Sequence, residues 1–328
     1  MGISTKTIRS AGAIGLLALA TLSPCAALAQ AWPAGPVRLF VGSPPGAPSD
    51  ITARLFADQL GKLVKQPVVV DNRPGAGNNL AAMAAAKAEP DGATLVLSPD
   101  TVLTVNPHIY KNRDFDPKTD LVNVSIIGSF SQMLVCHPSV GVKTVGELVA
   151  KSKTERIMYG SGGPGVPGHL ATEMFLDAAK TRMEHIPYRG PAPATQAVLA
   201  GEVQCGFLAT PTVLPHVRAG KLAALAVSSA TPSPLAPEVP TLAQALQQPG
   251  LDVSFRLVLQ APKATPPAVI AELAKRAQEV MKLPDVRAKL QNSDVTALGT
   301  TSAQAQATLN QEMVRWEPVV KRLGLTAD

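Results

Sequence analysis

Aromatic residues make up only 4% of this 328-residue chain, and they are not gathered beside clusters of lysine or arginine. A nucleic-acid surface needs a basic stripe with stacking rings, so no nucleic acid is expected as a partner. The histidines stand apart at His108, His137, His169, His185 and His216, without His-x-x-x-His spacing. No metal centre is therefore expected. There is no Gly-x-Ser-x-Gly elbow to expose a serine nucleophile. After residue 30 no apolar run approaches the roughly 20 residues that a bilayer span requires. Cysteine is scarce too, at Cys25, Cys136 and Cys205. These absences remove most classes of function before any motif is considered.

What is present begins with an export signal. Met1 to Ser10 carries Lys6 and Arg9 and no acid, Ala11 to Leu22 is apolar, and Ala27-Leu-Ala29 offers small residues for cleavage. That order describes a secretory signal peptide over residues 1–29. Lipoprotein processing at Cys25 is disfavoured, because Pro24 stands where a small residue is needed. The mature chain is expected to begin near Gln30, in the periplasm, with a formal charge of +4 once Lys6 and Arg9 are removed from +6. Cys136 and Cys205 survive cleavage, either as two buried thiols or as one bridge allowed by an oxidising compartment.

Roughly 300 remaining residues suggest two domains of ordinary size. Val37 to Val41, Val68 to Val70 and Thr94 to Leu97 read as strands. Between them, a helix to about Val64 shows an apolar face of Ile51, Leu55, Phe56, Leu60 and Leu63, with Ser49 or Asp50 as its cap. An Ala-rich helix follows Pro74-Gly-Ala-Gly77. The same rhythm returns with strands at Met133 to Cys136, Arg156 to Tyr159, Met183 to Ile186, Val203 to Phe207 and Ala223 to Val227. Strand and helix alternating at these intervals predict parallel, doubly wound sheets. Two C-terminal helices, near Pro266 to Lys282 and Ser302 to Arg322, have no strands of their own and are expected to cover the first lobe. The fold class is thus α/β, two doubly wound lobes with two hinge crossings and the ligand in the interlobe cleft. Lobe 1 is expected over 30–130 and 230–328, and lobe 2 over 131–229.

In open α/β sheets small molecules bind beyond the carboxyl ends of strands, where helices begin. The corresponding loops here are Ser43 to Asp50, Ser98 to Thr101 and Gly160 to His169, all rich in glycine, proline and hydroxyl residues. Exposed N–H groups at helix N-termini suit anions, most simply a carboxylate. The third loop contains a literal G-x-G-x-x-G in Gly160, Gly162 and Gly165, with Glu184 at the distance of a ribose-binding acid. It is a decoy. A dinucleotide fold places that motif in its first strand-to-helix turn, whereas this one lies in the second half and holds Pro164 and Pro167. An anion-binding turn is the better reading, and no cofactor is expected.

Several longer stretches then fall into a familiar order: Pro44-Pro-Gly-Ala-Pro-Ser-Asp50, Pro67-Val-Val-Val-Asp-Asn-Arg-Pro-Gly-Ala-Gly77, Pro90-Asp-Gly92, Asn106-Pro-His-Ile-Tyr-Lys111, Ile186-Pro-Tyr-Arg-Gly190 and Leu214-Pro-His-Val-Arg-Ala-Gly-Lys-Leu222. Over nearly the whole mature length the chain resembles the substrate-binding receptors of tripartite tricarboxylate transporters, the Bug receptors. The resemblance implies a two-lobed fold like that of type II periplasmic binding proteins, without catalytic residues. It also implies capture of a small organic carboxylate and delivery to the membrane permease of such a transporter. The receptor is expected to be a monomer.

By that resemblance Pro45, Gly46, Ser49 and Asp50 match the first carboxylate-holding loop. Ser98 and Thr101 match the hydroxyl loop after the third strand, Gly160, Ser161, Gly162 and His169 the second-lobe loop, and Tyr188 and Arg189 the lining beside it. Pro48 departs from the family's glycines and lacks a donor N–H. Asp100 also departs, and would repel an anion unless it points away or meets a cation. Amino-acid-binding members carry an Asp after Phe207, whereas this chain has Leu208. An unpaired buried ammonium is costly, so the expected ligand lacks an amine at that end. Asp50 reads as a capping acid, and Arg73 and Arg189 read either as ligand clamps or as surface pairs, Asp71 being close to Arg73. Two rivals share part of this pattern. An exported hydrolase would use Ser161 with His169 but lacks a third partner, and a signalling receptor would use the same closure without transport.

Overall fold

In Val37–Val41 (β1), Val37, Leu39 and Val41 share one face and are fully buried, and Phe40 is buried on the other face beside an exposed Arg38. A strand covered on both sides belongs inside a parallel sheet, and β1 pairs in parallel with Val68–Asn72 (β2) and Thr94–Pro99 (β3). The computed structural model describes residues 1–2, 32–110 and 115–327. Apart from its first two residues, the signal peptide expected over 1–29, with Cys25, lies outside the described residues. Leu121–Phe130 (β4) carries the chain from this sheet to Met133–Cys136 (β5), the first strand of a second sheet. Met158–Ser161 (β6), Glu184–Pro187 (β7), Cys205–Leu208 (β8) and Ala223–Val227 (β9) complete the second sheet, in the order β7-β6-β8-β5-β9. The chain then returns through residues 228–254 to Phe255–Pro262 (β10), and Val295–Ala297 (β11) closes the first sheet in the order β11-β4-β10-β3-β1-β2.

Both sheets are mixed rather than wholly parallel. β10 runs antiparallel to β3 and β4, β11 antiparallel to β4, and β5 antiparallel to β8 and β9. A helix crossover makes parallel neighbours, but β5 and β10 are reached directly from the other sheet and enter in the opposite sense. β10 also corrects the expectation that the C-terminal helices lack strands. They are Pro267–Lys282, Pro284–Gln291 and Ser302–Leu323, and Trp316 of the last is buried 6.3 Å from the ring of Phe255 in β10. The first helix, Pro48–Val64, buries Ala53, Phe56, Ala57 and Leu60, while Leu63 is exposed. Its small residues let it lie close to the sheet, so the buried face is turned from the one its leucines suggest.

The two crossings are stitched together at Ser228, which is fully buried. Its N–H donates to Gln132 O at 2.8 Å, its Oγ accepts from Gln132 N–H at 3.0 Å, and it donates to Val253 O at 2.8 Å. Val227 also bridges to Thr241, so the returning chain touches the edge of the second sheet before it reaches β10. Cys136 stands directly opposite Cys205 in the β5–β8 pair, and the two form a disulfide across 69 residues. Replacing both with alanine should lower stability by about 2–4 kcal/mol, measured by urea unfolding. An unchanged midpoint would mean that the bond constrains nothing.

Candidate functional site

The parallel strands of both sheets empty into one cavity of about 520 Å³. Its first-sheet wall comes from the loops after β1 and β2 and from Pro99, and its second-sheet wall from the loops after β6, β7 and β8. Phe130 and Gln132, from the first crossing, contribute to the same lining. Across the cleft Tyr110 Oη donates to Pro164 O at 3.1 Å.

Of the helices that begin at this cavity, four carry a proline in their first two positions: Pro48–Val64, Pro167–Ala179, Pro191–Ala200 and Thr210–Arg218. Their N-caps are Ala47, Val166, Gly190 and Ala209, and none is closed by a side-chain hydrogen bond. Elsewhere Thr144, Thr241 and Thr301 close their helices with capping boxes. The first turn of an α-helix leaves its N–H groups without internal acceptors, and here those donors remain available to a ligand. Proline at the first helical position fits the helix and removes an N–H that had no partner there in any case. Pro48 and Pro167 are therefore helix starters rather than lost donors, and Ala47 caps where Ser49 or Asp50 was expected. Among the described residues the only charged one in the lining is Arg189, and no Asp or Glu is found there. The summed field of helix termini and guanidinium favours an anion.

Asp50 shapes the first loop from behind. It is 2% exposed and accepts from Gly46 N–H at 2.9 Å, from Arg54 Nε at 3.1 Å and from Asn72 Nδ2 at 2.8 Å. Burial opposes its charge, but the bonds from Arg54, Gly46 and Asn72 outweigh it, and its carboxyl titrates below the ordinary range. Asn72 Nδ2 also reaches Ser43 O at 2.9 Å, and the hydroxyls of Ser43 and Ser49 share a 2.5 Å hydrogen bond. Gly46 at φ 86° makes the turn that lets its N–H face Asp50.

The second-sheet loop is held by a buried polar stack. His169 lies 4.3 Å from the ring of His185, which lies 4.8 Å from that of Tyr159. Ser161 Oγ pairs with His185 Nε2 at 2.6 Å and accepts from Gly163 N–H at 3.1 Å, while Gly165 N–H donates to His169 Nδ1 at 3.2 Å. Burial, with the neighbouring His185, pushes His169 down to about 3, and burial pushes His185 down to about 4. Both rings are neutral at physiological pH and add no charge to the cavity. The imidazole beside Ser161 is thus His185 rather than His169, and Ser161 is fully buried, out of reach of a substrate.

Of the residues singled out in the sequence, Ser49, Gly162, Tyr188 and Leu208 line the cavity, together with Arg189. Pro45, Gly46, Asp50, Gly160, Ser161 and His169 support the loops without lining it. Ser98 lies within β3 and Thr101 opens a one-turn helix; both are fully buried. Asp100 meets a cation, with Arg256 Nη1 3.5 Å from its Oδ2. The two arginines held as alternatives separate: Arg73 is paired with Asp71 at 2.8 Å and lies over Phe40, whereas Arg189 has no ion pair among the described residues. The lining also includes Gly75 to Asn78, Phe130 and Gln132, which the sequence reading missed, and Gly168, from within the loop it named. The Pro-Gly turn after β2 carried a signal, because it follows a strand and opens a helix. Phe130 and Gln132 carried none.

Known proteins are similar to this chain in sequence and fold. The chain is 33% identical to protein BugT of Bordetella pertussis over 299 residues, 90% of this chain and 91% of that one. Among solved structures, R. palustris Rpa4515 with adipate superposes with a TM-score of 0.84 at 29% identity, covering 90% of this chain and 99% of the other. MatC from Rhodopseudomonas palustris with bound malate gives 0.78 at 25% identity, covering 88% and 99%. The family model for the tripartite tricarboxylate transporter family receptor matches residues 52–325. With that match over most of its length, the chain belongs to the tripartite tricarboxylate transporter family of receptors, the Bug-type periplasmic solute-binding proteins.

Proposed function

We propose that this chain is a periplasmic receptor that captures a small organic carboxylate by closure of its two lobes and delivers it to the permease of a tripartite transporter. The observation that carries this reading is the convergence of four uncapped helix N-termini, from both sheets, on one cavity whose only charged lining residue, among the described residues, is Arg189. A carboxylate held by first-turn N–H groups of both lobes binds the closed form better than the open one, and that difference drives closure. Ser131, Gln132 and Ser228, where the crossings are stitched, are the positions to absorb the motion. The ligands of Rpa4515 and MatC, adipate and malate, are dicarboxylates and support the ligand class.

Leu208 is 2% exposed and lines the cavity near Phe207 and Phe130. An ammonium there would have no counter-charge, so the ligand lacks an amine at that end. Nothing in this mechanism breaks a bond or uses a cofactor. The receptor acts as a monomer, exported through its N-terminal signal.

Arg189→Ala should weaken binding of a matching dicarboxylate about tenfold, the loss of one charge-assisted contact at an exposed site. Calorimetric titration of both proteins with adipate, malate and citrate measures it. Equal affinities would remove Arg189 from the site, and no binding of any carboxylate by the wild type would remove the reading itself.

A further inference from the structure

We infer that the receptor has a second ligand site, for a small zwitterion of the amino-acid class, in a pocket behind the hinge. The pocket holds about 280 Å³, at the small end of ligand sites, and shares only Phe130 with the cleft. Its wall joins Ser129 and Ser131 of the first crossing, residues 229–234 after β9, and the approach to β11.

Among the described residues two charged ones line it. Asp294 is 8% exposed, and its Oδ1 accepts from Ser233 Oγ at 2.5 Å. Its Oδ2 is buried without a partner. A buried carboxylate oxygen left unpaired carries a desolvation cost, and a ligand ammonium removes it. The second residue is Arg287, on helix Pro284–Gln291, whose guanidinium has no hydrogen bond or ion pair among the described residues. Asp294 and Arg287 are not paired with each other, so each has a charge to offer to an opposite end of one molecule. The hydroxyls of Ser129, Ser131 and Thr231 add neutral polar partners around it. This chemistry differs from the cleft's, whose lining contains no carboxylate among the described residues.

The test is calorimetric titration of the purified protein with glycine, β-alanine and γ-aminobutyrate, with propylammonium and propionate as single-charge controls. At least one amino acid should bind, at least tenfold more tightly than either control. Asp294→Asn and Arg287→Ala should each weaken that binding at least tenfold, while Arg189→Ala leaves it unchanged. Asparagine suits position 294, where φ is 56°, since it tolerates the left-handed region. Arg287 is exposed, so its alanine variant keeps the test valid if the first variant fails to fold. Binding lost in Arg189→Ala but kept in the hinge variants would assign the amino acid to the cleft and overturn the inference. So would the absence of binding by all three amino acids, or propionate binding equally well. The outcome is independent of whether a dicarboxylate occupies the cleft.

Discussion

Replacing Arg256 with methionine is expected to cost about 3–5 kcal/mol of stability at pH 8, the penalty for leaving buried charge without its partner. Arg256 extends from β10, its Nη1 3.5 Å from Asp100 Oδ2 and its Nη2 3.0 Å from Glu312 Oε1. Both acids are buried, and without Arg256 the one ion-pair partner left to them among the described residues is Arg315, 3.4 Å from Glu312. Burial pushes the Asp100 carboxyl up to about 7, against the pull of Arg256. Between its ordinary value of 3.8 and about 7 the folded protein therefore holds a proton that the unfolded chain has released. The stability this contributes is fully present below about 3.8 and is lost as pH rises through about 7. Two results follow. The cost of Arg256→Met should be smaller at pH 5 than at pH 8, and Asp100→Asn should flatten the fall in stability between those values. Urea unfolding of the three proteins at both pH values measures this. A cost below about 1 kcal/mol, in the range of a surface pair, would contradict the buried network.

Gly168→Ala should act on two quantities together, stability and ligand affinity. A Cβ at Gly168 would lie 2.4 Å from Phe207 O. That oxygen belongs to β8, whose register is fixed by the pairing of Phe207 with Leu134 in β5, so the helix must move instead. Overpacking of this kind costs about 1–3 kcal/mol. The start of helix Pro167–Ala179 would also be drawn out of the cavity, and affinity for a carboxylate should fall on the order of tenfold or more. Gly146, in helix Val145–Ser152, is the control: its Cβ would meet nothing closer than 3.9 Å, and alanine there should be neutral or slightly stabilising. Equal behaviour of the two variants would show that the helix start is not held against β8.

The alternation of strand and helix was legible because each parallel unit is local. Val37–Val41, Val68–Asn72 and Thr94–Pro99, which pair in parallel, begin where their apolar runs predict. β4 and β10 were not legible, although they are the longest strands. β4 is interrupted by Asn123, Ser125 and Ser129, which break its apolar pattern. Those groups are satisfied from far along the chain: Gln260 Nε2 donates to Asn123 Oδ1 at 2.9 Å, and Ser125 Oγ donates to Thr300 O at 2.8 Å. No window of local sequence holds both partners.

The site was legible at the level of loops and not of atoms. Glycine and proline mark where backbone donors are left free, and the loops after β1 and β6 do line the cavity. Which hydroxyl faces the cavity depends on the half-turn at which each helix starts. Pro48 and Pro167 set that start, turning Ser49 into the lining and Asp50 and His169 behind it. Arg73 has Asp71 two residues before it and pairs with it at 2.8 Å, which its sequence already suggested, whereas the freedom of Arg189 from any ion pair among the described residues is visible only in the fold.

The most direct measurement is thermal melting of the protein after it has been unfolded and refolded to strip any bound ligand, with adipate, malate, citrate, aromatic acids, NAD and divalent metals each added in excess. A ligand at 100 times its dissociation constant stabilises by about 2.7 kcal/mol, a rise on the order of 5 °C for a chain of this size. A selective rise with one carboxylate, and none with NAD or metals, is the expected result. A rise with NAD or a metal, and none with any carboxylate, would contradict an anion cleft built from helix N-termini.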